Sequence, residues 1–95
     1  MVINTLLIRL KERDEASIQK AVDILKKLKG NVPVLLDSRV EVDVRHAENG
    51  YDIMLVNTFN SVDDIPVYVD DPGHAEAGAY VREVMDASAS LCYEV

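Results

Sequence analysis

Two stretches of this chain are apolar on both of their alternating faces, and that limits the possible folds more than any other feature. In "VINTLLIRLK", Asn4, Leu6, Ile8 and Leu10 fall on one side of an extended strand, while Ile3, Thr5, Leu7 and Arg9 fall on the other. "YDIMLVNTF" is likewise apolar in both registers. Strands of this kind belong at the centre of a sheet that is covered on both sides. With 95 residues, 48% apolar and 28% charged, the chain forms one globular domain spanning residues 1–95. One core of that size cannot supply a helical layer on each face.

The remaining segments define what the covering layer is. "DEASIQKAVDILKKLKG" places Ile18, Ala21, Val22, Leu25 and Leu28 at helical spacing, with Asp14 as N-cap and Gly30 as a left-handed stop. Lys26, Lys27 and Lys29 complement the dipole at that helix's end. "VLLDSRVEVDV" sets Ser38, Val40, Val42 and Val44 against Asp37, Arg39, Glu41 and Asp43, the pattern of an edge strand wet on one face. Asn49-Gly50 then reads as the positive-φ pair of a hairpin leading into the next strand.

In "SVDDIPVYV", Ser61 and Asp64 form a capping-box-like pair, and Pro66 predicts a short, bent or partly 3₁₀ segment. Asp71-Pro72 starts a fresh helix with Ala77, Tyr80, Val81, Val84 and Met85 on one face, and "SLCYEV" closes the chain as a strand. The order β-α-β-β-α-β, with the second helix in two pieces, is an α+β, ferredoxin-like protomer with a four-stranded antiparallel sheet. Its helices cover one sheet face. At about 25 cal/mol per Å², the other face forgoes several kcal/mol in water, so homodimerisation through the sheet face is expected.

Composition narrows the partners. The net charge of −7 and the lack of a basic stripe disfavour nucleic acid. The apolar run at the N-terminus is too short to span a bilayer and carries no signal-peptide pattern, so a cytoplasmic protein without membrane contact is expected. Cys92 is the single cysteine, which excludes an internal disulfide and a cysteine metal cluster. No phosphate loop, cofactor fingerprint or nucleophile triad is present, so no cofactor is expected.

"MVINTLLIRLK", "GYDIMLVNTFNSVDDI", "YVDDPGHAEAGAYV" and the closing "LCYEV" together resemble the stress-responsive dimeric α/β-barrel (Dabb) family across nearly the whole chain. That resemblance implies ferredoxin-like protomers whose sheets pack face to face as a homodimeric α/β barrel. Most members have no assigned activity. A plant branch similar to olivetolic acid cyclase closes a linear polyketide by a cofactor-free aldol reaction. In that branch a histidine after a proline, and a tyrosine six residues earlier, carry the chemistry; Tyr68 and His74 match those positions. The chain departs from the pattern at Asn4 and Asp71, where the family usually has histidines, and at Ala77, where it has a bulky aromatic.

The resemblance makes His74 and Tyr68 the candidate catalytic pair, with Asn4, Leu6, Ile8, Ala77 and Val81 as candidate substrate-binding residues. A neutral His74 could remove a proton between two carbonyls while the Tyr68 hydroxyl meets the developing enolate. The competing reading makes His74 a helix-capping or loop residue and Tyr68 a rim aromatic. The helix dipole lowers the pKa of His74 while Asp70 and Asp71 raise it, a balance the sequence leaves open. Asp70, Asp71 and His74, with Asp63 and Asp64, also invite a metal reading, but capping and first-turn roles explain the aspartates better and no metal is expected. His46 reads as a solvated residue beside the hairpin. The expected function is binding of a small, mostly apolar carbonyl compound, with catalysis left open. The alternative is a non-catalytic, stress-related dimer acting through protein association.

Overall fold

In the computed structural model, which describes residues 1–95, the elements follow as β1 (Val2–Leu10), α1 (Glu15–Lys26), β2 (Asp37–Val42), β3 (Ile53–Phe59), α2 (Asp64–Asp70), α3 (Pro72–Val84) and β4 (Met85–Glu94). The four strands form one antiparallel sheet in the order β2-β3-β1-β4. The two-sided apolar strands β1 and β3 take the centre and the alternating β2 an edge, as their patterns predict. This is the ferredoxin-like arrangement, with its second helix divided at Asp71.

Register sorts the side chains. On the helical side Leu6 stands opposite Leu55 and Ile8 opposite Ile53. Ile8, Leu10, Ile53, Leu55 and Phe59 are buried there against Ile18, Ala21, Val22, Leu25 and Leu28. Each of the Val, Leu, Ile and Phe side chains contributes roughly 1.5–3 kcal/mol on burial. α1 presents them because Asp14 caps it, accepting the Ser17 N–H, and Gly30 turns the chain away at φ 84°. On the other side Leu7 stands opposite Met54, and Thr5 lies between Val56 and Leu91. No helix covers this face; Leu91 is 66% exposed and Tyr93 44%.

The segment around Pro66 is short, as expected: α2 has 7 residues, and the proline falls within its first turn, where an N–H has no intrahelical acceptor. A fresh helix starts at Asp71-Pro72, as the sequence predicts, and the backbone of Asp71 is extended. Two other local expectations are corrected. Asn49-Gly50 is not the positive-φ pair of a tight hairpin: the connection spans residues 43–52, and positive φ falls on the exposed His46, at 53°. Arg13 shapes that loop. Its guanidinium donates to the carbonyls of Ala47, Glu48 and Gly50 and to the Asp52 carboxylate at 3.0 Å. Asp52, 2% exposed, also accepts the Leu10 N–H, so the loop is tied to the end of β1.

The last strand is also longer than "SLCYEV". α3 passes into β4 at Met85 without a loop, and β4 pairs with β1 along its whole length, with a register shift between Arg9 and Leu10. The Ala-Ser run carries no strand signal of its own; pairing with β1 decides its conformation. No helix is long and apolar enough to cross a membrane.

Candidate functional site

The start of α3 determines where His74 stands. Asp71, at φ −71° and ψ 137°, leaves the helical region, and its carboxylate accepts the Gly73 N–H at 2.7 Å. Its carbonyl accepts the His74 N–H at 2.9 Å, while Pro72 occupies the first helical position, where its missing N–H is not needed. Asp71 is therefore the cap and His74 is not. The His74 ring, half-buried, packs edge to face on Tyr68 with centroids 4.6 Å apart and planes at 61°. Tyr68 packs in the same manner on Phe59, at 5.3 Å. Buried between Phe59 and His74, Tyr68 is an inner wall residue rather than a rim aromatic.

A hydrogen-bond chain orients the phenol. Ser38 Oγ donates to Asn57 Oδ1 at 2.7 Å, and Asn57 Nδ2 donates to Tyr68 Oη at 3.2 Å. The Tyr68 oxygen is thus an acceptor within the protein, which leaves its own O–H free to donate to a ligand. Asn57 is 2% exposed on β3, and Asn4 stands opposite it on β1.

Burial sets the protonation of the pair. Desolvation is the main cause that lowers the pKa of His74; the Arg82 charge lowers it further, and the Val69 backbone opposes both. The imidazole is therefore neutral at pH 7 and able to accept a proton. Desolvation raises the Tyr68 phenol, opposed by the Asn57 hydrogen bond, so the phenol keeps its proton.

These groups meet at a cavity of about 270 Å³ between the helices and the sheet. Its lining brings together His74, Tyr68, Asn4, Leu6, Ala77 and Val81. Ile8, also a candidate, lies instead in the packed core at 1% exposure. Asn57, Gly78, Arg82 and Ser88 complete the polar and small parts of the wall, and sequence reasoning missed them. Signals for some were present: Asn57 interrupts an apolar strand on its core face, and Arg82 lies two helical repeats beyond His74 on one face of α3. Gly78 is a glycine inside a helix, disfavoured by about 1 kcal/mol against alanine. Its reason is spatial: a Cβ there would stand 2.6 Å from His74 Cε1, so the glycine admits the ring.

A second hollow, of about 340 Å³, lies on the opposite sheet face beside Leu7, Met54, Glu41 and Tyr51. It contains no histidine, and its apolar walls belong to the uncovered face.

The same architecture recurs in solved structures. A dimeric ferredoxin-like protein of unknown function from Thermobifida fusca YX is 20% identical with a TM-score of 0.84, over 99% of this chain and 90% of that one. Another, from Bacteroides fragilis NCTC 9343, is 21% identical with a TM-score of 0.83, over 99% and 95%. The hydroxynitrile lyase of Passiflora edulis is 17% identical with a TM-score of 0.81, over 99% and 92%. At such identities the likeness establishes the fold. No curated protein matches the chain. Residues 4–95 match the profile of the stress responsive A/B Barrel Domain, and on that match, together with the shared fold, this chain belongs to the Dabb family.

Proposed function

We propose that this protein binds a small, mostly apolar carbonyl compound in the cavity between helices and sheet, and that it does so as a homodimer joined through the uncovered sheet face. One observation carries the reading: a neutral histidine and a tyrosine with a free hydroxyl meet at a cavity whose other walls are chiefly apolar. A dimer acting only through protein association would have no use for that space.

The arrangement suits cofactor-free proton transfer. His74 accepts a proton from a carbon flanked by two carbonyls, and the electron pair of the broken C–H bond moves to an enolate oxygen. Tyr68, held by Asn57, donates to that oxygen as its charge develops. The Asn4 amide offers a donor and an acceptor to orient the same ligand. The test is a thermal-shift screen of aryl ketones and 1,3-diketones on the parent protein, His74→Ala and Tyr68→Phe. The reading expects ligands that stabilise the parent and stabilise the variants less. Equal stabilisation of all three proteins would remove these residues from any site.

A further inference from the structure

The cavity wall has a distinctive charge pattern. The chain carries seventeen acidic residues and a net charge of −7, yet no Asp or Glu lines the cavity. Arg82 is the one lining residue with a permanent charge. Five of the ten basic side chains, Arg9, Arg13, Lys27, Lys29 and Arg39, hold a carboxylate; Arg82 is among the five that do not, and of those five it alone lines the cavity. It is not drawn away from the site either. Its Nη1 comes within 3.4 Å of the point where a Gly78 Cβ would stand, beside the His74 ring that passes the same point at 2.6 Å. Ser88, exposed at the start of β4, contributes a hydroxyl to the same lining.

We propose that the natural ligand carries a carboxylate, which Arg82 binds at the rim of the cavity with the Ser88 hydroxyl beside it, while the ligand's apolar body lies inward against Leu6, Leu28 and Leu55. This rests on the reading that the cavity is a small-molecule site, and it names the ligand class. The chemistry follows from the guanidinium, whose planar fork matches a carboxylate bidentately and whose charge no protein group neutralises. The volume, just below the usual range for drug-sized ligand sites, admits a compact monocarboxylate and not a long-chain lipid. A uniformly apolar ligand would gain nothing from Arg82, which then stays hydrated, and a cationic one would meet it with like charge.

Isothermal titration with a matched pair, 4-phenylbutanoate and 4-phenylbutanamide, tests this on the parent and on Arg82→Gln and Arg82→Lys. The two probes share a body and a carbonyl and differ in charge. The expected result is about tenfold tighter binding of the carboxylate to the parent, the scale of one charge-assisted hydrogen bond. That preference should vanish in Arg82→Gln and survive in part in Arg82→Lys, with the amide losing less affinity than the carboxylate in both. Arg82 is exposed, so both variants should fold, and an unchanged melting temperature checks that. If both probes bind the parent equally, or if Arg82→Gln keeps the preference, the carboxylate inference fails while the cavity remains a ligand site. If neither probe binds, the reading beneath it fails as well.

Discussion

The Tyr68 ring lies edge to face on the His74 imidazole at 4.6 Å between centroids, although the two residues belong to different helices. The contact exists because the chain breaks at Asp71 and restarts at Pro72, turning the first turn of α3 back toward the end of α2. A continuous helix from Asp64 to Val84 would carry the two side chains around its axis at fixed helical spacing, with no freedom to bring the rings together from two directions.

The protonation of His74 gives the first expectation. Burial, aided by Arg82, lowers its pKa below the ordinary histidine value of about 6.5. Histidine NMR titration of the folded protein should find its midpoint below that value, and Arg82→Gln should move the midpoint upward. In the window between the folded midpoint and about 6.5 the unfolded chain binds more protons than the native one, so stability falls as pH drops through it. This contribution is complete above about 6.5, and His74→Gln should flatten the slope.

Gly78 separates stability from function. Alanine at an interior helical position gains up to about 1 kcal/mol over glycine, yet its Cβ would stand 2.6 Å from His74 Cε1 and push the ring aside. Gly78→Ala should therefore melt no lower than the parent while losing ligand-induced stabilisation. Unchanged ligand response would show that the ring's position is immaterial.

Arg13 and Asp52 hold the β2–β3 connection. Replacing Arg13 by methionine strands a carboxylate that is 2% exposed. Breaking a buried pair in this way costs about 3 kcal/mol. Chemical denaturation should show a loss of that order, and Asp52→Asn, which still offers an oxygen to the Leu10 N–H, a smaller one.

The uncovered sheet face is expected to pair with its copy. Light scattering at micromolar concentration should give the mass of a dimer, with an interface near the standard size of about 1,600 Å². Val56→Asp puts a charge at the middle of that face, opposite Thr5, and should give a monomer.

Sheet order and helix faces were legible in the sequence because they depend on periodicity: the two-sided patterns of β1 and β3 required central positions, and the one-sided face of α1 required a core beneath it. Failures came where long-range pairing overrides local signals. Nothing within residues 85–89 marks a strand, since β1 imposes it from across the sheet. The reach of Arg13 into a loop far along the chain, which removes the tight turn at Asn49-Gly50, is equally invisible to local pattern. At the site, Tyr68 and His74 were reached through family resemblance and Asp71-Pro72 through capping rules. Asn57 and Arg82 carried local signals, but register and helix rotation were needed to place them beside that pair.

The central claim, a small-molecule site between helices and sheet, is tested most directly by methyl NMR of the labelled protein titrated with benzoylacetone. The account expects saturable shifts at Leu6, Leu55 and Val81, which line the cavity, with Leu7, Val56 and Leu91 on the opposite sheet face unmoved. Shifts confined to the opposite face, or none at either, would contradict it.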